Sequence, residues 1–227
     1  MRPLLTFNEM AGETRVLKID PQRVEPATIN TIVGILQKGG VIAYPTDTFY
    51  GLGANCFLKK AIQRIYRLKR REPAKPLSAL VSNREMVRSL AVEIPSLFWV
   101  LTEQFWPGPL TLVVKASSDL PGEMLGPGES VGIRLPDLSW LRGLIDEADF
   151  PITATSANIS GDKEIEDPRK IKDIFSGIVD LIVDGGKTGG ILPSTVVDLS
   201  SSRPKILREG AVPRSYLEKY LGKDLKS

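Results

Sequence analysis

The sequence predicts an α/β fold built on a mixed β-sheet, and three observations support this class. Apolar segments with strand character alternate with amphipathic segments of helical period along the chain. The composition is that of a globular protein, with 42% hydrophobic and 25% charged residues among 227. The connections differ in length, and segment 115–130 is long and rich in Gly and Pro. This unevenness favours a mixed sheet over a regular doubly wound parallel one.

The helices are predicted from apolar residues spaced three and four apart and from residues that mark helix ends. In the first helix Ile29, Ile32, Val33 and Leu36 share one face, and the glycines at 39 and 40 follow it. Further helices are predicted at about 59–70, 96–105, 138–148, 168–176 and from 215 onward. A capping box of Ser82 and Glu85 predicts one more helix after them.

The strands are predicted where short apolar segments rich in β-branched residues stand between these helices. They lie at 41–44, 77–81, 110–114, 131–134, 152–155, 181–183 and 195–199, with a further short strand before Arg208. We expect residues 1–25 to form an N-terminal extension that leads into a single domain over 26–227.

The absence of histidine restricts the chemistry more than any other feature of the composition. The chain has no histidine and one cysteine, Cys56, so it can form neither a Ser-His-Asp triad nor a multi-cysteine zinc site. Catalysis must then depend on positioning, fixed charges, hydroxyls and backbone dipoles. No apolar run approaches the ~20 residues of a membrane span, and no signal peptide is evident, so we expect a cytoplasmic protein with no membrane partner.

Three segments are candidates for a binding site. Segment 44–53 combines hydroxyls and glycines directly after a strand, although a structural turn closed by Asp47 would explain it equally well. Segment 153–161 places Ser156 and Asn158 at a strand end, where they offer neutral hydrogen bonds; a strand running into a turn is the alternative. Segment 185–190 is no Walker A loop, because Leu181 stands where that motif requires glycine, but it could shape or close a site.

The positive charge is concentrated in segment 59–75, which holds eight basic residues and one acid, whereas the whole chain has a net charge of +3. Polyphosphate or RNA is the expected partner of such a segment. We expect Lys59, Lys60 and Arg64 to form a solvated helix face. Nearby prolines favour extended chain at Lys69 and Arg71, whose side chains would then share a side and clamp a triphosphate.

Taken together, an ordered set of motifs resembles the YrdC/TsaC family of threonylcarbamoyl-AMP synthases. The motifs lie at 39–52, 69–71, 75–77, 106–111, 132–136, 155–161, 184–186, 193–198 and 207–210. The family's lysine-x-arginine and serine-x-asparagine tetrad matches Lys69, Arg71, Ser156 and Asn158. A paralogue group of the same fold lacks this tetrad. The resemblance also implies that the extra C-terminal domain of longer members is absent.

The resemblance implies a concave, twisted, mostly mixed sheet with flanking helices and with the ligands in the hollow. It assigns the catalytic charges to Lys69 and Arg71. It implies an ATP site formed by Lys69, Arg71, Thr155, Ser156, Asn158 and Arg208. It implies a threonine site formed by Thr46, Thr48, Arg134 and Ser194, in which Arg134 pairs bidentately with the substrate carboxylate.

The implied reaction joins bicarbonate to the amine of L-threonine and transfers the carbamate to the α-phosphorus of ATP, for modification of tRNA. Mg²⁺ would accompany ATP, held by phosphates and water, with no metal site on the protein. The product would pass to a tRNA threonylcarbamoyltransferase. Two alternatives stay open: a module that binds tRNA or double-stranded RNA without chemistry, and a catalytically silent paralogue.

Overall fold

The computed structural model of the chain describes residues 13–70, 72 and 76–221. Arg71, one half of the predicted clamp, therefore lies outside the described residues, as do Lys75 and the first twelve residues of the predicted extension.

The described residues contain ten strands and six α-helices that follow the predicted alternation. The strands are β1 (Arg15–Lys18), β2 (Ile42–Pro45), β3 (Tyr50–Gly53), β4 (Ser78–Leu80), β5 (Leu110–Lys115), β6 (Ser130–Arg134), β7 (Ile152–Ser156), β8 (Leu181–Asp184), β9 (Thr195–Asp198) and β10 (Lys205–Arg208). The helices are α1 (Pro26–Gln37), α2 (Lys59–Lys69), α3 (Ser96–Phe105), α4 (Ser139–Ala148), α5 (Pro168–Phe175) and α6 (Arg214–Leu221).

All ten described strands belong to one sheet in the order β1-β8-β2-β3-β7-β4-β6-β5-β9-β10. Parallel pairs (β1 with β8, β8 with β2, β4 with β6, β5 with β9) occur together with antiparallel pairs. The prediction of a mixed sheet is confirmed.

The helices cover both faces of the sheet, because each presents one apolar stripe. On one face the buried side chains of α1 and α4, such as Leu36 and Leu144, pack with alternate residues of β2, β7 and β8. On the other face α2, α3, α5 and α6 contribute to a larger core that includes Ile65, Phe98 and Phe175. The core formed by α1 and α4 does not include residues of β5, β6 and β9, so one face of these three strands stays open.

Two strands were not predicted, and each has a physical reason. β1 is a short edge strand whose residues are mostly exposed, so its hydrophobic pattern is weak. It lies within the predicted extension and pairs with β8. The glycines of β3 are more typical of a loop. Gly51 and Gly53 are required there because the ring of Tyr44 lies over the strand, and a Cβ at Gly53 would come within 2.6 Å of Tyr44 Cε1.

Two local predictions are wrong. The capping box of Ser82 and Glu85 does not form: a 3₁₀ turn spans Glu85–Ser89, and Asn83 Oδ1 accepts the N–H of Met86 at 2.8 Å. Arg64 is not on a solvated face. Its guanidinium contacts Asp180 Oδ2 at 2.5 Å and donates to the carbonyl of Ile178 at 2.8 Å. No helix in the described part of the chain is both long enough and apolar enough to cross a membrane.

Candidate active site

A cavity of about 510 Å³ occupies the open face of the sheet. Its position follows from the two-residue period of the strands. In β6 the buried Val131 and Ile133 face the larger core, whereas Gly132 and Arg134 line the cavity. The same alternation in β5 and β9 turns Thr111 and Val113, and Val196 and Asp198, toward it. The rest of the wall includes β4, β10, the turn after β2, the end of β7 and the segment before β9.

The turn between β2 and β3 presents the predicted threonine-binding hydroxyls. Thr46 Oγ1 accepts the N–H of Thr48 at 3.1 Å and donates to the carbonyl of Phe49 at 2.7 Å. The hydroxyls of Thr46 and Thr48 lie 3.0 Å apart, and both residues line the cavity. The expected local bond from Asp47 is not the one that forms, because Thr46 closes the turn and Asp47 points to β6.

The glycine loop 185–190 contacts this turn at one end and β3 at the other. The N–H of Gly190 donates to the carbonyl of Thr48 at 3.0 Å, and a Cβ at Gly190 would lie 2.0 Å from that oxygen. At the other end Tyr50 Oη donates to the carbonyl of Gly186 at 2.7 Å. Burial raises the pKa of Tyr50 well above its usual value, so the phenol stays protonated. No helix follows the loop directly, since β9 comes next, which agrees with the rejection of a Walker A motif.

Arg134 projects from the end of β6 into the cavity and is engaged on its protein side. Its Nε donates to the carbonyl of Gly108 at 3.0 Å, and its Nη2 lies 2.7 Å from Asp47 Oδ2. That contact is off the N–H axis, so Nη2 has no hydrogen-bond partner in the described protein. A buried guanidinium with an unpartnered N–H group, on a residue that lines a cavity, is suited to an anionic ligand.

Ser194 and Arg208 form a second polar cluster on the cavity wall. Arg208 donates from Nε and Nη2 to the carbonyl of Ser194, at 3.0 and 2.8 Å, and from Nη2 to Ser194 Oγ at 3.0 Å. Ser194 Oγ also lies 2.9 Å from Thr111 Oγ1. The structure thus brings the predicted residues Ser194 and Arg208 into direct contact, although they belong to different predicted ligand sites.

Lys69 supports the predicted ATP-binding segment from behind. It is 1% exposed. Its ammonium donates to the carbonyl of Asn158 and to Asn158 Oδ1, both at 2.8 Å, and to the carbonyl of Ser156. Ser156 Oγ donates to the same Asn158 Oδ1 at 2.6 Å. Ser156 and Thr155 line the cavity, whereas Lys69 and Asn158 fix their position.

The prediction that Lys69 lies on extended chain is wrong. Lys69 is the last residue of α2, and Arg70 then adopts a left-handed conformation with φ 49°. The helix continues because its stripe of Ile62, Ile65 and Leu68 packs into the core, and this outweighs the local influence of the prolines that follow. A direct contact between the triphosphate and Lys69 or Arg71 stays a prediction.

The described residues offer few side chains suited to acid–base catalysis or to metal binding. Burial raises the pKa of Cys56 and of Tyr44 far above their usual values, so neither is ionised near neutral pH. No group of three or more Cys, Asp and Glu side chains among residues 13–70, 72 and 76–221 is arranged to hold a metal ion.

Sequence reasoning missed two features of the site. The sequence indicates only a turn at Asp47, yet this residue is the ion-pair partner of Arg134. Lys205 and Asp198, paired directly across β9 and β10, line the cavity. The alternation within β9 and β10 would have indicated the second feature. Nothing in the linear sequence links positions 47 and 134.

Comparison with known proteins shows which proteins share this fold. The family model Sua5/YciO/YrdC, described as "Telomere recombination", matches residues 34–210. A Pyrococcus abyssi protein named threonylcarbamoyl-AMP synthase is 37% identical over 201 residues, which cover 88% of this chain. The chain spans 59% of that relative's length.

Two solved structures superpose on most of the chain. The structure of Pyrococcus abyssi Sua5 in complex with L-threonine has a TM-score of 0.87 at 37% identity and covers 92% of this chain and 61% of that one. The structure of Escherichia coli YciO has a TM-score of 0.82 at 28% identity and covers 92% of this chain and 99% of that one. Because the family model spans most of the chain and the sheet is shared with both structures, the chain belongs to the Sua5/YciO/YrdC family.

Proposed function

We propose that the protein is an L-threonylcarbamoyl-AMP synthase, which converts L-threonine, bicarbonate and ATP to L-threonylcarbamoyl-AMP and diphosphate for modification of tRNA. One observation carries the proposal: a single cavity gathers the hydroxyls of Thr46 and Thr48, the guanidinium of Arg134 and the Ser156 segment held by Lys69. The name of the Pyrococcus abyssi relative and its complex with L-threonine support the same assignment.

The threonine end of the cavity lies between the turn after β2 and the end of β6. The substrate carboxylate pairs with the terminal N–H groups of Arg134, because Nε is already bonded to Gly108. The substrate hydroxyl contacts the paired hydroxyls of Thr46 and Thr48. Because Thr46 Oγ1 donates to the carbonyl of Phe49, the hydroxyl of Thr48 is the donor within this pair. This arrangement selects for an amino acid that carries both groups.

The nucleotide lies along the Ser156 segment and the wall formed by β9 and β10. The phosphates contact Ser156, with Lys69 adding a fixed positive charge behind it. Arg208 stands on the other wall beside Ser194 and faces the α-phosphate. Lys205 offers a further ammonium on this wall.

The reaction requires no protein nucleophile. The amine of threonine condenses with bicarbonate to give a carbamate and water. The carbamate oxygen then forms a bond to the α-phosphorus, and the bond from that phosphorus to the diphosphate breaks. The protein aligns the two reactants and stabilises the developing charge. This suits a chain without histidine in which burial keeps Cys56 protonated.

Mg²⁺ would accompany ATP in this proposal, held by phosphate oxygens and water, and would supply positive charge beside the leaving diphosphate. The carboxylates of Asp198 and Glu164 line the cavity, where they can contact its water ligands. The product then passes to the protein that transfers the threonylcarbamoyl group to tRNA.

The choice between a synthase and a catalytically silent paralogue depends on the side chains of the site rather than on the backbone fold. The structures of Pyrococcus abyssi Sua5 and Escherichia coli YciO match this chain with similar TM-scores of 0.87 and 0.82, so backbone similarity alone does not decide the activity. The network of Lys69, Ser156 and Asn158 favours the synthase, because it builds the segment that the reaction needs.

The decisive experiment measures diphosphate release from ATP across a panel of amino acids, with and without bicarbonate. We expect release only with threonine and bicarbonate together, and a threonylcarbamoyl-AMP adduct in the mass spectrum. Formation of ADP, or turnover that ignores bicarbonate, would show that the proposal is wrong. RNA binding at about 0.2 M salt without ATP chemistry would favour the RNA-binding module instead.

A further inference from the structure

We propose that Asp47 is a positioning residue that fixes the guanidinium of Arg134 from behind and so defines the carboxylate-binding position of the cavity. The inference rests on the proposed function, because it takes the ligand of Arg134 to be the carboxylate of the amino-acid substrate. It assigns Asp47 a role distinct from that of a turn residue.

The ion pair of Asp47 and Arg134 is almost completely buried. The two side chains are 12% and 8% exposed, and Asp47 Oδ2 lies 2.7 Å from Arg134 Nη2. Arg134 and Thr48 line the cavity, whereas Asp47 lies outside its lining. The carboxylate therefore stands on the protein side of the guanidinium, with the cavity on the other side.

The geometry of the pair leaves hydrogen-bonding capacity for a ligand. Arg134 Nε donates to the carbonyl of Gly108, whereas Nη2 has no aligned partner among the described residues despite its short contact with Asp47. Asp47 thus holds the guanidinium by charge, without using the Nη2 hydrogens. A carboxylate entering the cavity supplies two acceptors that match the guanidinium fork.

Asp47 also joins the two halves of the proposed threonine site. Its Oδ2 accepts the N–H of Asp137 at 3.1 Å, which ties the turn after β2 to the segment after β6. The same turn carries the hydroxyls of Thr46 and Thr48. One carboxylate therefore sets the distance between the groups that bind the substrate hydroxyl and the group that binds its carboxylate.

Removing the charge of Asp47 leaves the guanidinium buried without a counter-charge, which is an unfavourable state for a buried ion. Arg134 would then extend into the cavity and lose its fixed orientation. We therefore expect Asp47→Asn to weaken carboxylate recognition and to leave ATP binding on the Ser156 segment intact.

The test compares calorimetric binding of L-threonine with that of L-threoninol, which has a hydroxymethyl group in place of the carboxylate. The wild-type protein should prefer threonine strongly. Asp47→Asn should weaken threonine binding by on the order of 10²-fold and abolish the preference. The KM for threonine should rise while the KM for ATP stays unchanged. Asp47→Glu, which keeps the charge, should restore most of the preference.

The matched control is Asp180→Asn, which breaks another arginine ion pair, of 2.5 Å, that does not border the cavity. It should leave the preference for threonine unchanged. If Asp47→Asn does not fold, Asp47→Ser is the second neutral variant, because its hydroxyl can still accept a hydrogen bond.

The outcomes separate this inference from the function on which it rests. A wild-type protein that binds neither ligand and turns over no amino acid overturns both. A wild-type protein that prefers threonine, with neutral Asp47 variants that keep this preference, overturns the inference alone. Parallel increases in both KM values would show that Asp47 has only a general structural role and would also overturn it.

Discussion

The strongest prediction concerns Lys69, because its burial makes its removal costly whatever the protein binds. Lys69→Met keeps the length of the side chain and removes the ammonium. Three buried oxygens then lose the ammonium as a donor. The carbonyl of Ser156 keeps the N–H of Asn158, and Asn158 Oδ1 keeps the hydroxyl of Ser156, so the carbonyl of Asn158 is the most affected. Each unpaired buried acceptor costs about 1–3 kcal/mol, and such costs are not additive.

The expected destabilisation is therefore about 1–3 kcal/mol, the cost of one unpaired buried acceptor. For a chain of this size a loss of about 1 kcal/mol lowers Tm by about 2–4 °C, so Tm should fall by roughly 2–10 °C. The matched control is Lys59→Met. Lys59 lies in the same helix with a side chain 65% exposed and a 3.1 Å contact to Glu123. Surface pairs contribute about 0–1 kcal/mol, so its Tm should change little.

Thermal unfolding followed by circular dichroism measures the loss of stability, and diphosphate release well below both melting temperatures measures the loss of turnover. Turnover by Lys69→Met should fall roughly 10²-fold or more, the scale of losing one electrostatic stabiliser. A lysine that acted only as a triphosphate clamp would reduce turnover without reducing stability. A Tm for Lys69→Met within about 2 °C of the wild type, less than the shift expected for 1 kcal/mol, would refute the positioning role of Lys69.

Two glycine substitutions test the packing around the cavity against matched neighbours. Gly190→Ala should displace the glycine loop and raise the KM for threonine, because the new Cβ would lie 2.0 Å from the carbonyl oxygen of Thr48. In Gly189→Ala the new Cβ would have no atom of the described residues within 4 Å beyond its chain neighbours, so this variant should act like the wild type. Gly53→Ala should destabilise the fold by about 1–3 kcal/mol, because its new Cβ would clash with the ring of Tyr44. Gly143→Ala, in open space on α4, should stabilise the fold by about 0.5–1 kcal/mol, because alanine favours a helix more than glycine does. Equal behaviour within either pair, in kinetics or in chemical denaturation, would contradict the packing described.

The sequence predicted the sheet and its central strands because their signals are local. Strands β5, β6 and β9 are short segments rich in apolar and β-branched residues, and this signal is visible without a structure. The resemblance assigned Thr46 and Arg134 to the threonine site and Ser156 and Arg208 to the ATP site, and in the structure all four line the same cavity.

The features that sequence reasoning missed depend on contacts between distant positions. β3 forms because the ring of Tyr44 covers its glycines, so a sequence of low strand propensity becomes a strand. Lys69 stays helical because the apolar stripe of α2 is buried, and the local effect of the nearby prolines does not reveal this. The pairing of Asp47 with Arg134 joins two residues that are far apart in the sequence and has no local signature.

Asp167 pairs with Arg169, caps a helix and lies next to a residue that bonds to the glycine loop. Protonation of its carboxylate should therefore affect the stability of the fold. Hydrogen bonds from the side chain of Arg169, and then from its backbone N–H, lower the pKa of Asp167 below the usual value. Asp167 caps α5, and the carbonyl of its neighbour Glu166 accepts the N–H of Thr188 in the glycine loop at 3.0 Å.

The pKa of Asp167 is lower in the folded state than in the unfolded chain, where it is about 3.9. The ionised carboxylate therefore stabilises the fold fully above about pH 5. This stabilisation is lost as the pH falls through the pKa of Asp167 in the folded state. Asp167→Asn should therefore be less stable than the wild type at neutral pH, and the difference should shrink as the pH is lowered toward about 3. Urea unfolding at a series of pH values measures this difference, with Glu147→Gln, an exposed acid on α4, as the control. A difference of constant size over that whole pH range would mean that the ion pair with Arg169 does not stabilise the folded state and that only the shape of the cap matters.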